Sequence, residues 1–196
     1  MYRISVTLFA LVVSVFFSRG ALAQGLYAND AKEITKGDLN DQDYWWTRFD
    51  MMMLDKAIEQ RQPEGRIGLN LVSTRRRLDD LIKKYPKHEE LKKWKEHADD
   101  INKKIDPNAD RGAPWKPGCP WDEANFAQAW VNYHWGKMQI ADKQISEAKG
   151  TFNNVKRNFD ILMVPDRLKD YPDDLKKWMG DTKPDVDKTV EDLSKQ

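Results

Sequence analysis

The chain has a single cysteine, Cys119, and no Asn-x-Ser/Thr acceptor for N-glycosylation in its 196 residues. One thiol cannot form an intramolecular disulfide, so we expect the fold to be held by packing and Cys119 to be a buried thiol or to pair between molecules. Covalent haem attachment through Cys-x-x-Cys-His is excluded for the same reason. The lack of glycosylation acceptors favours a bacterial periplasm over a glycosylating pathway.

The chain also lacks a basic excess and, after residue 23, any apolar run long enough to span a bilayer. Its formal charge is +1, and loss of Arg3 and Arg19 with the N-terminal segment makes it −1. Nucleic-acid binders usually carry a strong positive charge, so we expect no nucleic-acid partner. We interpret Arg75-Arg76-Arg77 as the solvated face of a helix.

Residues 1–23 have the pattern of a cleaved signal peptide. Arg3 precedes an apolar run from Ile4 to Phe17, which is too short for a membrane-spanning helix. Ala21-Leu22-Ala23 has the small-x-small pattern that predicts cleavage before Gln24. We therefore expect a secreted or periplasmic protein without a transmembrane segment after cleavage, and a flexible leader over residues 24–40.

One stretch of the chain occurs twice, about 87 residues apart. The segment Met51–Ile58 reappears as Met138–Ile145, and Leu91–Trp94 reappears as Leu175–Trp178. The order is kept and the offset is nearly constant, which indicates tandem duplication of one helical unit.

Apolar residues at steps of three and four predict helices, and the alternating runs typical of strands are absent after residue 23. We predict an all-α fold, a helical bundle or short helical array built from two tandem three-helix units that pack on each other. The units are residues 41–105 and 121–196, joined by a Pro/Gly-rich connector over residues 106–120. In the first unit we predict that Pro63 and Gly65 end the first helix. In the second unit we predict one long helix that runs to Gly150, and a break at Gly180 and Pro184 before a short terminal helix.

Each predicted unit also contains a Tyr-Pro pair, Tyr85-Pro86 and Tyr171-Pro172, followed by an amphipathic helix. This arrangement is similar to tetratricopeptide-type helical repeats. Their unit is about 34 residues long, much shorter than the offset found here, and their small-residue positions are not evident. Membership of that family is therefore not inferred.

Aromatic side chains cluster at similar places in the two units, and we predict them as a surface for a protein or peptide partner: Trp45, Trp46 and Phe49, then Trp130, Tyr133, His134 and Trp135. Neighbouring helical positions are about 100° apart, so Trp45 and Trp46 cannot both face the core. Packing between the units is the alternative for the whole set. For His134 the alternatives are a ligand or proton carrier and a histidine hydrogen-bonded at the bundle edge.

The connector contains a weak calcium pattern. Asp106, Asn108 and Asp110 place side-chain oxygens at alternate positions in a turn-rich segment, as Ca²⁺ loops do. Gly112 falls one place late for an EF-hand, and Pro117 stands where a bidentate acid is expected. The alternative is an ordinary turn built from Asp and Asn, and no other cofactor is expected.

The sequence contains no nucleophile–base pair, paired acids or phosphate loop in a suitable context, so we expect no enzyme. The leading hypothesis is an exported, non-enzymatic helical-repeat protein that acts as a protein- or peptide-binding scaffold of the cell envelope. The alternative is a periplasmic domain that binds a small ligand or Ca²⁺.

Overall fold

The structure, a computed structural model, describes residues 39–106, 108–110 and 120–196. Within these ranges it contains helices and no strand, so the predicted all-α bundle is confirmed. The helices are α1 (Gln42–Glu59), α2 (Glu64–Lys84), α3 (Glu89–Lys104), α4 (Pro120–Ala141), α5 (Ile145–Leu162), α6 (Pro165–Leu168) and α7 (Asp173–Ser194).

The packing of the long helices follows their order in the chain. Helix α3 packs on α2, α2 on α1, α1 on α4, α4 on α5 and α5 on α7. The outer helix α3 buries a narrow stripe of Leu91, Ala98 and Ile101 and is otherwise rich in Lys, Glu and Asp, as an amphipathic surface helix should be. The central helix α1 is buried over much more of its circumference, because it has a neighbour on two sides.

The prediction of one long helix that reaches Gly150 is wrong, because α4 ends at Ala141 and Gly150 lies inside α5. Lys143 adopts a left-handed backbone with φ 62°. The amide of Gln144 donates to the carbonyl of Gln139 at 2.8 Å, and the amide of Lys143 donates to that of Ile140 at 3.0 Å. This hydrogen-bond pattern is a Schellman motif, which ends a helix.

The same motif ends α1. Arg61 has φ 53°, and the amide of Gln62 donates to the carbonyl of Ala57 at 2.9 Å. Arg61 and Lys143 are 82 positions apart, so the two turns correspond at a shorter offset than the 87 that matches Met51 to Met138. Gly65, expected to help end α1, lies instead in the first turn of α2.

The predicted break at Gly180 and Pro184 is also wrong. Helix α7 continues through Pro184 to Ser194 as one helix. Its buried residues Thr182, Val186 and Leu193 lie on both sides of the proline. Packing of this stripe therefore outweighs the local cost of a proline, which removes one helical hydrogen bond.

Both halves place a tryptophan of a late helix against a ring of the first helix. The rings of Trp94 in α3 and Tyr44 in α1 lie 5.4 Å apart, and those of Trp178 in α7 and Phe126 in α4 lie 5.4 Å apart. These contacts and the matching turns agree with a duplication. The tandem three-helix organisation itself stays a prediction.

In the part of the chain that the structure describes, no helix combines the length and apolar character needed to cross a membrane.

Candidate functional site

The aromatic residues predicted as a binding surface come together where α1 meets α4, and most of that cluster is core. Trp45 and Trp130 are each 1% exposed, and Phe49 and His134 are buried. The rings of Trp45 and Trp130 lie 6.2 Å apart, and those of Phe49 and Trp130 lie 5.7 Å apart. Burial of four rings at one interface contributes strongly to stability.

The other three predicted residues, Trp46, Tyr133 and Trp135, are half-buried. Of the adjacent pair, Trp45 is fully buried in the core, whereas Trp46 is half-buried and packs against its edge, as the helical geometry predicts. Any contact of this cluster with a partner is therefore limited to the half-buried members.

His134 lies inside the aromatic cluster. Its ring stacks on Trp45 at 5.2 Å and lies 4.3 Å from the ring of Trp130. Its Nε2 is buried and has no hydrogen-bond partner among the described residues. Burial, together with the positive charges of Arg48 and Lys137, lowers the pKa of His134 to about 3. The imidazole is therefore neutral at physiological pH.

Tyr133 connects α4 to α7. Its hydroxyl donates to Asp185 Oδ2 at 2.8 Å, and Lys137 Nζ lies 2.6 Å from the same oxygen. Burial and the neighbouring Asp185 carboxylate raise the pKa of Tyr133 well above its usual value. Tyr133 is thus a neutral hydrogen-bond donor that holds two helices together.

The residues of the calcium pattern form a turn against the start of α2. The amide of Asn108 donates to Asp106 Oδ1 at 2.9 Å, and the amide of Asp106 donates to Glu64 Oε2 at 2.8 Å. One carboxylate oxygen of Asp106 is thus engaged in an Asx turn. No group of three His, Cys, Asp or Glu side chains able to hold a metal occurs in the described ranges. Calcium binding at Asp106, Asn108 and Asp110 stays a prediction.

A groove of about 610 Å³ runs along α2 to the start of α1, and we name it the α1–α2 groove. Leu69 and Val72 line it and are 54% and 62% exposed. Arg76 lies one turn further along the same wall and forms no ion pair with any described residue. At the far end are Lys84 and Asp43. The groove therefore combines open apolar surface with an arginine that forms no ion pair with any described residue, and Asp80, one turn further along α2, also lines it.

Two of the three consecutive arginines do not form a purely solvated face. Arg75 Nε lies 2.8 Å from Asp99 Oδ1 on α3, and Arg77 pairs with Asp50 on α1. Burial raises the pKa of Asp50 despite the opposing effect of Arg77. Only Arg76 of the run is exposed and unpaired, so the interpretation as a solvated face holds for that residue alone.

A second cleft, of about 550 Å³, lies where the start of α1 meets α4 and α5, and we name it the polar cleft. Side-chain amides dominate its lining: Asn40, Gln42, Gln139, Gln144 and Asn154. Trp135 lines the same cleft, and its Nε1 donates to Asn40 Oδ1 at 3.1 Å. Asp41 and Lys84 form an ion pair of 2.5 Å in the wall that both depressions share.

Asp41 fixes the shape of that shared wall. Its carboxylate accepts hydrogen bonds from Lys84 Nζ at 2.5 Å, from the Tyr85 hydroxyl at 2.8 Å and from the amide of Asp43 at 2.9 Å. Burial alone would raise the pKa of Asp41, but these hydrogen bonds keep it below its usual value. Asp41 also caps α1.

Sequence reasoning missed both depressions for different reasons. Leu69 and Val72 lie outside the buried stripe of Leu71, Leu78 and Leu81. Their position relative to that stripe could have predicted an exposed apolar surface. The amides of the polar cleft come from positions about 100 residues apart, such as Asn40 and Gln139. No local pattern brings such residues together.

The chain matches no protein-family model, and no curated protein or solved structure is significantly similar to it.

Proposed function

We propose that this protein is an exported, non-enzymatic helical module that binds a peptide segment of a partner protein in the α1–α2 groove. The observation that carries the proposal is the exposure of Leu69 and Val72, at 54% and 62%, inside a groove beside Arg76, which forms no ion pair within the described part of the chain. Exposed apolar side chains that are grouped in a groove commonly mark an interaction site.

The stripe on α2 favours one kind of partner. Leu69, Val72 and Arg76 are separated by three and four positions, so they lie on one face of the helix. Two apolar contacts followed by a cation are complementary to a segment that carries two apolar side chains and then a carboxylate. Amphipathic segments with such anchors bind helical grooves by this mode.

Export is supported by the N-terminal pattern of Arg3, the apolar run and Ala21-Leu22-Ala23, which lies outside the described residues. Expression with the full N-terminus in a Gram-negative host should give a mature protein that begins at Gln24 in the periplasmic fraction. Intact-mass measurement of that fraction checks the cleavage site, and an uncleaved chain in the cytoplasm would contradict the export proposal.

The partner class is tested by selecting peptides from a random displayed library against the mature protein. We expect selected peptides to carry two apolar residues followed by Asp or Glu, and to bind at least tenfold more weakly to a Leu69→Ser/Val72→Ser variant. A tenfold loss corresponds to about 1.4 kcal/mol. Arg76→Gln should weaken the binding of acidic peptides and leave the binding of their uncharged analogues unchanged.

Val164→Ser is the matched control, because Val164 is also exposed, at 42%, and does not line the groove. Equal affinity for the double variant and this control would place the peptide site elsewhere and refute the proposal. Variants of Trp45 and Trp130 are unsuitable for the test, because both side chains are 1% exposed and their loss would affect folding.

A further inference from the structure

The polar cleft holds a buried hydrogen-bond acceptor that the protein itself leaves unused. Gln139 is 3% exposed and lines the cleft, yet its Oε1 accepts no hydrogen bond from any described residue. Buried side-chain oxygens are nearly always hydrogen-bonded. A buried acceptor without a partner, on a residue that lines a cleft, is suited to a hydroxyl or amide group of a ligand.

Other amides of the cleft are held in place by hydrogen bonds to neighbouring side chains. Asn40 Nδ2 donates to Asp142 Oδ2 at 2.8 Å and to Gln144 Oε1 at 2.9 Å. Gln42 Nε2 donates to Asn132 Oδ1 at 3.2 Å. With its oxygen engaged by Asn40, the amide nitrogen of Gln144 remains available as a donor. The residues that line the cleft thus include a donor on Gln144 and a buried acceptor on Gln139.

The charges of the cleft do not favour an anion. Lys84, the cation in its wall, is paired with Asp41 at 2.5 Å. The carboxylate of Glu147 lines the same cleft and is exposed. A phosphate or carboxylate ligand would therefore meet an acid and an already neutralised lysine. A neutral ligand with several hydroxyl groups avoids this repulsion.

Trp135 supplies the apolar surface that such a ligand needs. Its indole is half-buried in the wall of the cleft, and the 3.1 Å hydrogen bond from its Nε1 to Asn40 fixes the ring. A tryptophan offers a flat apolar face with a polar edge. Ligand sites typically combine such a surface with a few convergent polar groups in a volume of roughly 300–1,000 Å³, and this cleft has about 550 Å³.

We propose that the polar cleft binds a short neutral saccharide, with its hydroxyls on Gln139 and Gln144 and one sugar face against Trp135. Hydroxyl groups both donate and accept, which matches the mixed character of side-chain amides. The proposal is independent of the peptide site, because Leu69 and Val72 do not line this cleft.

The test is calorimetric titration of the mature chain with maltotriose, cellotriose and triacetylchitotriose, and with inorganic phosphate as an anionic comparison. We expect saturable binding of at least one trisaccharide at millimolar concentration or below, no binding of phosphate, and a change in tryptophan fluorescence. The acetylated and non-acetylated sugars distinguish cell-wall-type glycans from storage-type glucans. Absence of binding by all three sugars, or binding of phosphate alone, would overturn the proposal.

The variant Gln139→Met tests whether the sugar binds at the buried acceptor. Gln139→Met keeps the size of the side chain and removes the buried acceptor, so it should weaken sugar binding at least tenfold while the melting temperature stays equal or rises. A fall in both would show that Gln139 is structural, with its acceptor satisfied by water, and would refute its role in binding.

Gly150→Leu should fill the cleft, because a Cβ at Gly150 meets nothing within 4 Å. Gly180→Leu is the control, since Gly180 lies in α7 with equally open space around it and away from the cleft. We expect sugar binding to be lost in Gly150→Leu and retained in Gly180→Leu and in Leu69→Ser/Val72→Ser. Equal binding by the two glycine variants would place the sugar elsewhere and reject this site.

Discussion

His134 is neutral in the folded protein because it is enclosed by Trp45 and Trp130 and lies near two cations, Arg48 on α1 and Lys137 on α4. Its pKa falls from 6.5 to about 3 on folding. In the unfolded chain the same imidazole becomes protonated as the pH drops below 6.5. The unfolded state then binds more protons, so acid destabilises the fold through this residue.

The first prediction is that the protein loses about 2 kcal/mol of stability through His134 between pH 7 and pH 5. The loss continues down to the folded pKa of about 3. His134→Gln has no group that titrates there and should show a flatter dependence. Urea unfolding at pH 7, 6 and 5 measures the difference. Parallel curves for the two proteins would mean that the folded imidazole takes up its proton over the same pH range as the unfolded one.

Gly136 of α4 packs closely against the side chains of Thr151 and Phe152 of α5. A Cβ at this position would lie 2.7 Å from a carbon of the Phe152 ring and 3.2 Å from Thr151 Cγ2. Phe152 is itself fully buried, so its ring has little freedom to move.

The second prediction is that Gly136→Ala destabilises the protein by about 1–2 kcal/mol through overpacking. Gly180→Ala should instead stabilise it by about 0.5–1 kcal/mol, since alanine favours a helix and nothing lies within 4 Å of the added carbon. Thermal and urea unfolding of the two variants show whether each substitution raises or lowers the stability of the protein. Stabilisation of the protein by both substitutions would show that Phe152 and Thr151 move to admit the added carbon at position 136 without loss of stability.

At the scale of helices, the stripes of three- and four-residue steps predict the helical class and the approximate positions of the long helices in the described ranges, except that they divide α7 into two shorter helices. The ends were less predictable. Helix α4 ends at a left-handed Lys143 and α1 at a left-handed Arg61, where the usual sequence signal is glycine or asparagine. The sequence predicts helix ends at Gly150 and Gly65, but both lie inside helices. Glycine is unfavourable in a helix without forbidding it, and tertiary packing decides between such weak preferences.

Pro184 shows the same conflict within α7. Its nitrogen cannot donate to the carbonyl of Gly180, yet the helix continues because Val186 and Leu193 stay on the buried stripe. The side chain of Pro184 is exposed, so its ring makes no contact with the core.

The third prediction is therefore that Pro184→Ala stabilises the protein by about 1–3 kcal/mol, since it restores a hydrogen bond and removes a clash. Pro165→Ala is the control: Pro165 lies in the first turn of α6, where a proline lacks no helical hydrogen bond. Its effect should stay within about 0.5 kcal/mol. Melting temperatures of both variants test this, and a destabilised Pro184→Ala would indicate that α7 needs the proline's geometry.

For the whole molecule, the candidate sites were less predictable than the fold. The clustering of Trp45, Phe49 and Trp130 in space follows from their similar places in the two units, but their burial makes them core. The polar cleft depends on the approach of Asn40 to Gln139 and Gln144, which only the packing of α1 on α4 brings about. Sequence periodicity shows which face of a helix is buried, but not which neighbour covers it.

The two halves of the chain share one core, since the α1–α4 interface is their main contact and contains rings that are almost fully buried. Trp130 packs against both Trp45 and Phe49 from the opposite half. Neither half can keep these rings from water without the other, so the halves should not unfold separately.

The fourth prediction is a single unfolding transition, and a loss of about 2–4 kcal/mol for Trp130→Leu. Hydrogen exchange should become faster by a similar factor in α2 and in α5, although only α4 carries the substitution, because protection of both helices then reports global unfolding. Exchange that rises only in α4, α5 and α7 would show that the first three helices are stable on their own. In that case the two halves would be independent domains whose aromatic contact adds little to the stability of either.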